Sequence, residues 1–176
     1  MRWLMACLLC LGSSSLLADE AFYGELHLGA GGVRHSDLDF YPTIGSLSAG
    51  VYVLPNIGIE VFADTSLSDD EDEGFVLDLE EAYGIAARFQ SPPGNGLSGY
   101  LVIGYVDFSV AQEPVEESLA AAAIDENFTG ARFSAGVMQR LARVPQLLVS
   151  FEYRNYYADS EVKVDALLLG LRFNLR

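Results

Sequence analysis

Between Phe22 and Leu175 apolar and polar residues alternate in eight runs, and this period of two constrains the chain more than any other feature. Successive side chains of a strand point to opposite faces, so each run reads as a strand with one apolar and one polar side. The predicted strands are Phe22–Val33, Tyr41–Leu54, Ile57–Leu67, Val76–Gln90, Gly99–Val110, Ala131–Leu141, Gln146–Tyr157 and Val162–Leu175. The third is the clearest, with Ile57, Ile59, Val61 and Ala63 on one side and Glu60, Phe62 and Asp64 on the other. The first sets Leu26, Leu28 and Ala30 against Glu25 and His27, and the last sets Leu167, Leu169, Leu171, Phe173 and Leu175 against Gly170, Arg172 and Asn174. In the fourth, Glu81 breaks the alternation of Tyr83, Ile85, Ala87 and Phe89, which predicts a bulge or a position beyond the apolar zone. The fifth reads as Val102, Val106 and Phe108 against Tyr105, Asp107 and Ser109, although Leu101 and Ile103 are apolar too.

The connections alternate in length. Pro55-Asn56, Pro92–Gly96 and Arg143–Pro145 are short and rich in turn residues, whereas the acidic Ser68–Gly74 and the segment Ala111–Gly130 are longer. Aromatic residues gather at strand ends: Phe22, Phe89, Tyr100 and Phe173 at one end, and Tyr41, Phe75, Phe108, Phe128 and Tyr157 at the other. An even number of spanning strands, alternate short and long connections, and two aromatic girdles fit a closed transmembrane sheet. The expected fold is all-β, a closed eight-stranded antiparallel transmembrane β-barrel with an up-and-down meander.

Alternation alone does not say which face is inside, since a soluble barrel hides its apolar side. The charges do. Glu25, Glu60, Asp64, Glu80, Asp107 and Glu152 share the polar face with Arg88, Arg132, Arg140, Arg154 and Arg172, while the whole chain holds a single lysine, Lys163. Arginines in phase with acids predict a salt-bridged lumen, and an eight-stranded interior is just wide enough for side chains to fill.

The first 18 residues read as a secretory leader, with Arg2, an apolar stretch from Trp3 to Leu11, and a cleavage site at Leu16-Leu17-Ala18. A lipobox reading of Leu4–Cys7 would leave almost no apolar stretch before it. Residues 19–176 are then one barrel domain. Cys7 and Cys10 both lie in the leader, so the mature chain has no thiol for disulfides, nucleophilic catalysis or cysteine-based zinc sites. The formal charge is −15, and loss of Arg2 leaves nine basic against 25 acidic residues, or −16. That excludes the basic surface a nucleic-acid partner selects.

The histidines are His27 and His35. His35-Ser36-Asp37 contains the residue types of a catalytic triad, but three consecutive side chains at a strand end diverge and do not converge on a reacting atom. Asp69, Glu71 and Glu73, followed by Gly74 and Glu80, sit at calcium-loop spacing, yet in a strand–loop–strand context. These three are weak metal candidates, and a solvated acidic tip that gathers divalent cations loosely is the simpler reading. No phosphate-binding loop and no cofactor motif is present, so no cofactor is expected.

The pattern over residues 22–175 resembles the bacterial eight-stranded outer-membrane barrels, the OmpA-like, OmpX-like and opacity-type porin superfamily. The most specific element is Gly170-Leu171-Arg172-Phe173-Asn174-Leu175, similar to that family's C-terminal assembly signal through Gly170, Phe173 and Leu175. It departs from the pattern in Leu175, where an aromatic is usual, in Leu168, and in the extra Arg176. The resemblance implies insertion by the outer-membrane assembly machinery; the short connections, as periplasmic turns, put both termini in the periplasm, and outer-membrane lipids and lipopolysaccharide are the expected surroundings. A dense Arg–carboxylate lumen in an eight-stranded barrel leaves no open channel, so the expected role is structural or surface-interactive, without catalysis. A narrow or gated pore and a lipid A-modifying enzyme are the alternatives.

Overall fold

A computed structural model describes residues 22–35, 38–68, 70–72, 75–114, 124–157 and 162–175, with side chains for 22–32, 40–68, 81–109, 127–156 and 164–175. The described strands are β1 Phe22–His35, β2 Leu38–Phe40, β3 Thr43–Leu54, β4 Ile57–Ser68, β5 Asp70–Asp72, β6 Phe75–Gln90, β7 Leu97–Pro114, β8 Ile124–Leu141, β9 Val144–Tyr157 and β10 Val162–Leu175. β2 and β5 are short flaps on β1 and β6. The other eight pair antiparallel in chain order, and β10 pairs back onto β1 from Phe22↔Leu175 to His35↔Val162. Closure leaves the sheet without a free edge, the condition for a β-structure in lipid.

The ladders also fix the stagger. Starting at Phe22, successive partners are Val51, Ile59, Ala87, Ile103, Phe133, Asn155 and Asp165, and Asp165 pairs with Gly32 of β1. One circuit thus climbs about ten residues along β1, which corresponds to strands tilted ~35–45° from the barrel axis. The short turns lie at the end that carries both described termini. The second of them, at Asn95-Gly96, has φ values of 54° and 82°, flanked by reciprocal hydrogen bonds between Gly94 and Leu97 of 2.8 and 3.0 Å. Positive φ at both central residues is the type I′ geometry that suits the twist of a hairpin.

The faces separate as expected in seven of the eight runs. Leu26, Leu28, Leu47, Val61, Ile85, Phe133, Phe151, Leu167 and Leu169 are exposed outward. Glu25, His27, Glu60, Asp64, Arg88, Arg132, Glu152 and Arg154 are buried inside. Exposed leucine and phenylalanine around the whole circumference are a lipid face, since water would reject so large an apolar band. Traced along the ladders, outward-facing Thr65, Glu81, Asp107 and Asp165 lie near one level, just past Tyr83 and Tyr105; Asn56 and Gln139 mark the other. The span between is roughly 20–25 Å at the rise per residue of a tilted strand, the height of an outer-membrane apolar band.

The fifth run corrects the expectation. Val102, Val106 and Phe108 are buried in the lumen, while Leu101, Ile103 and Tyr105 face outward at 50–55% exposure. Asp107 therefore lies half-buried on the outer face near the polar rim, outside the lumen set. The alternation failed because residues 101–103 are all apolar, so the phase rests on the ladder, which pairs Ile103 with Ala87 and Val102 with Arg88. The same phase turns Tyr100 and Phe108 inward and removes both from the girdles. Phe128 joins them inside, stacked on Phe108 with ring centroids 5.4 Å apart. Phe75 and Tyr157 lie outside the described side chains.

Two segments expected as loops are partly sheet. Within 111–130, residues 111–114 extend β7 and 124–130 extend β8, with Gln112 paired to Ile124. Asp70–Asp72 pairs with Phe75–Leu77, so these three residues form a short strand on β6. Asp69 and Glu73, and the side chains of Glu71 and Glu80, lie outside the described residues. The register does shift between Leu79 and Glu81, and Glu81 emerges on the outer face beside that bulge.

An arginine at Ile103, mid-barrel on the lipid side, is expected to cost about 2–4 kcal/mol of folding in bilayers. Val102→Thr, one residue away and inside, is expected to cost less. Folded fractions from heat-modifiable gel migration check this, and a milder effect at Ile103 would invert the phase.

Candidate functional site

The lumen is the site of interest, because four strands deliver complementary charges to one level of it. Glu25 of β1, Glu60 of β4, Arg88 of β6 and Glu152 of β9 all fall on the inward phase. Arg88 bridges two of them: its Nη2 lies 2.6 Å from Glu25 Oε2 and its Nε 2.8 Å from Glu60 Oε2. Tyr23 donates to the same Glu60 oxygen at 2.9 Å, and Tyr100 donates to Glu152 Oε2 at 2.9 Å. The Arg88 guanidinium also lies 4.1 Å from the Tyr100 ring centroid, adding cation–π attraction to the ion pairs.

One level nearer the outer rim, Arg154 takes the bridging role. Its Nε donates to Glu152 Oε1 at 2.8 Å and its Nη1 to Asp64 Oδ1 and Ser46 Oγ, each at 2.8 Å. Tyr156 donates to Asp64 as well. Arg132 is held more loosely, 3.5 Å from Glu152 Oε1 and 3.7 Å from Glu60 Oε1, with its guanidinium 4.0 Å from the Phe62 ring. Among described residues the buried charged set is four arginines against four carboxylates, so the sealed interior carries no net formal charge. Such burial is tolerated because each charge finds an opposite partner or a hydrogen bond.

Two glycines make room for the tyrosines. Tyr23 faces Gly50 across the β1–β3 ladder and Tyr100 faces Gly136 across β7–β8. A Cβ at either glycine would lie 2.4 Å from the facing ring, so any side chain there would displace the tyrosine from its carboxylate.

The structure divides the expected lumen set. Glu25, Glu60, Asp64, Arg88, Arg132, Glu152 and Arg154 come together. Arg172 is buried but sits apart, donating to Asn174 Oδ1 at 3.2 Å and to Tyr52 Oη at 2.7 Å. Arg140 stands at the mouth near the short turns, its Nη1 donating to the Pro145 carbonyl at 2.6 Å. Tyr23, Tyr100 and Tyr156 belong to the network but are absent from the expected set, and Ser46 and Ser150, which the period of two puts on the polar face, join it as well. The tyrosines' phase relative to Glu25, Arg154 and Glu152 was the available signal, except for Tyr100. Gly170 is buried beside His27 and Ser150, while Phe173 and Leu175 point outward.

His27, Ser150 and Glu25 superficially assemble a triad. Ser150 Oγ is 3.3 Å and Glu25 Oε1 3.3 Å from the same His27 nitrogen, Nε2. A triad needs the carboxylate on Nδ1 and the hydroxyl on Nε2, with the hydroxyl open to substrate. Here Nδ1 has no hydrogen-bond partner among the described residues, and the side chains of His27 and Glu25 are fully buried. The cluster ties β1 to β9.

Beyond the charged levels the lumen becomes apolar. Phe40, Ile44, Val106, Phe108 and Val164 are buried there, the far end of an apolar cluster that also runs between the charged groups. The interior therefore has three zones: a polar mouth at the end with the short turns, a charged middle, and an apolar plug at the far end.

Arg88→Met strands two buried carboxylates and is expected to lower stability by about 3–5 kcal/mol. The triple variant Arg88→Met, Glu60→Met, Glu25→Gln is expected to recover part of that loss. Urea unfolding in liposomes checks it, and a triple variant less stable than the single would reject the network as drawn.

No protein-family model matches the chain, and no curated protein matches it. Solved structures do. Neisserial surface protein A superposes with a TM-score of 0.67 at 16% identity, covering 88% of this chain and 97% of that one. Ail, the attachment invasion locus protein of Yersinia pestis, gives 0.63 at 14%, covering 89% and 99%. The N-terminal β-barrel domain of Pseudomonas aeruginosa OprF gives 0.59 at 16%, covering 87% and 97%. Identities this low speak to the fold, and the fold is that of the eight-stranded outer-membrane β-barrels.

Proposed function

We propose that this chain is an integral protein of a bacterial outer membrane whose barrel is a sealed scaffold, holding outward loops at the cell surface for a structural or interaction role. The carrying observation is the filled lumen. The Arg88 and Arg154 bridges cross the middle, and the apolar plug around Phe108 and Ile44 closes one end. An ion crossing it would have to break buried salt bridges and enter an apolar zone, each a cost of several kcal/mol. The non-catalytic reading rests on the His27 arrangement and on the lack of any other converging nucleophile and base among the described residues.

The first and last described residues, Phe22 and Leu175, lie at the end of the short turns; with short turns periplasmic, as in outer-membrane barrels, this reading has the termini in the periplasm and the longer connections outside. Those connections are acidic, with Asp69–Glu73 a run of five carboxylates. Divalent cations that bridge lipopolysaccharide phosphates are the partners this charge favours. One similar structure is named for attachment and invasion, which agrees with a surface role. Gly170, Phe173 and Leu175 serve as the recognition element for the assembly machinery.

Purified barrel in planar bilayers is expected to show no discrete conductance steps, and tags at Glu117 but not Asn95 are expected to react on intact cells. Regular steps would replace the sealed scaffold with a pore. Labelling at Asn95 alone would reverse the orientation.

A further inference from the structure

We propose that the polar mouth beside the short turns is a binding site for a small soluble oxyanion, of the phosphate or carboxylate class, built around Arg172. Nothing in the scaffold role requires such a site. A cavity of about 190 Å³ opens there, lined by Tyr52, Gln90, Ser98, Arg140, Arg172 and Asn174 among others. At ~30 Å³ per water it holds about six waters, room for one oxyanion and part of its hydration.

Arg172 is the decisive residue. It is 99% buried, as its 1% exposure shows, yet no carboxylate lies within ion-pairing distance of it among the described residues. Its cross-strand neighbour is Glu25, but that carboxylate is turned away, spending Oε2 on Arg88 and Oε1 on Ser150 and His27. The guanidinium is instead positioned by neutral groups. Its plane packs 3.5 Å from the Tyr23 ring centroid, Nε donates to Asn174, and Nη2 donates to Tyr52, which donates onward to Gln90. Nη1 has only long contacts, 3.5 Å to Gln90 Oε1 and 3.8 Å to Met138 Sδ. A buried cation, fixed in place and with one donor nitrogen weakly engaged beside a polar cavity, is a preorganised anion receptor.

Arg140 on the cavity wall adds a second positive charge, and Ser98 adds a hydroxyl. The chain's net charge of −15 opposes anion entry at long range. That repulsion is screened beyond about 8 Å at physiological salt, whereas the two arginines act at contact in a partly desolvated mouth. The cavity opens along the barrel axis rather than through the wall, which favours a dissolved ion over a lipid headgroup.

The test is amide and arginine-side-chain NMR of the full chain in phosphatidylcholine nanodiscs, titrated with inorganic phosphate. Saturable shifts are expected at Ser98, Asn174 and the Arg172 Nε–H. Arg172→Met is expected to weaken the apparent affinity at least tenfold and Arg140→Gln severalfold. Arg143→Gln, on the exposed turn outside the cavity, is expected to leave it unchanged. If Arg172→Met does not fold, the contrast between Arg140→Gln and Arg143→Gln decides alone. A response without saturation, equal weakening by Arg143→Gln, or the same shifts produced by phosphatidylglycerol nanodiscs without phosphate would each overturn the proposal.

Discussion

The ion pair between Arg88 and Glu25 holds together β6 and β1, two strands that no ladder joins. Glu25, Glu60 and Arg88 lie on β1, β4 and β6, and Glu25 also receives Ser150 of β9. Backbone ladders connect only neighbours and tolerate a slip by two residues with little loss. A buried arginine that must meet two carboxylates does not, because a slipped strand would leave charge unpaired in a low-dielectric interior. The network need not add much net stability to perform this role. Its value lies in how costly the misregistered alternatives are.

The same sequence period solves two solvent problems at once. Outward positions such as Val61 and Leu169 face hydrocarbon, while inward positions one residue away face other side chains. The interior is then graded along the axis. Polar groups end at a cavity near the short turns, and apolar groups such as Phe40, Ile44 and Phe108 fill the opposite end. That end of the interior resembles an ordinary protein core, where packing density excludes water without further devices.

This grading explains what could be read in advance. Where the inward phase carries charge, as at Glu60 and Asp64, the alternation is unambiguous. Where both faces of a strand are apolar, Leu101, Val102 and Ile103 cannot be assigned without their neighbours. That single ambiguity misplaced Asp107, Phe108 and Tyr100 together. The extensions of β7 and β8 are hidden for a different reason: residues 111–114 are Ala-Gln-Glu-Pro and 124–130 are Ile-Asp-Glu-Asn-Phe-Thr-Gly, neither with a period of two. Charge phase also overstated the lumen network. Arg172 shares the face of Glu25 and is its cross-strand neighbour, but side-chain direction sends it towards Tyr52 and Asn174. Phase says which face a residue occupies, and only the closed barrel says whom it meets.

The most direct measurement of this inside-out arrangement is methyl paramagnetic broadening of the barrel in nanodiscs. One probe is a spin label on a lipid tail, and the other is a water-soluble gadolinium chelate. Methyls of Val61, Ile103 and Leu169 are expected to broaden with the lipid probe, while those of Ile44, Val102 and Val106 stay sharp with both. Broadening of Val102 or Val106 by the lipid probe, or of Ile44 by the soluble one, would contradict a sealed barrel with this phase.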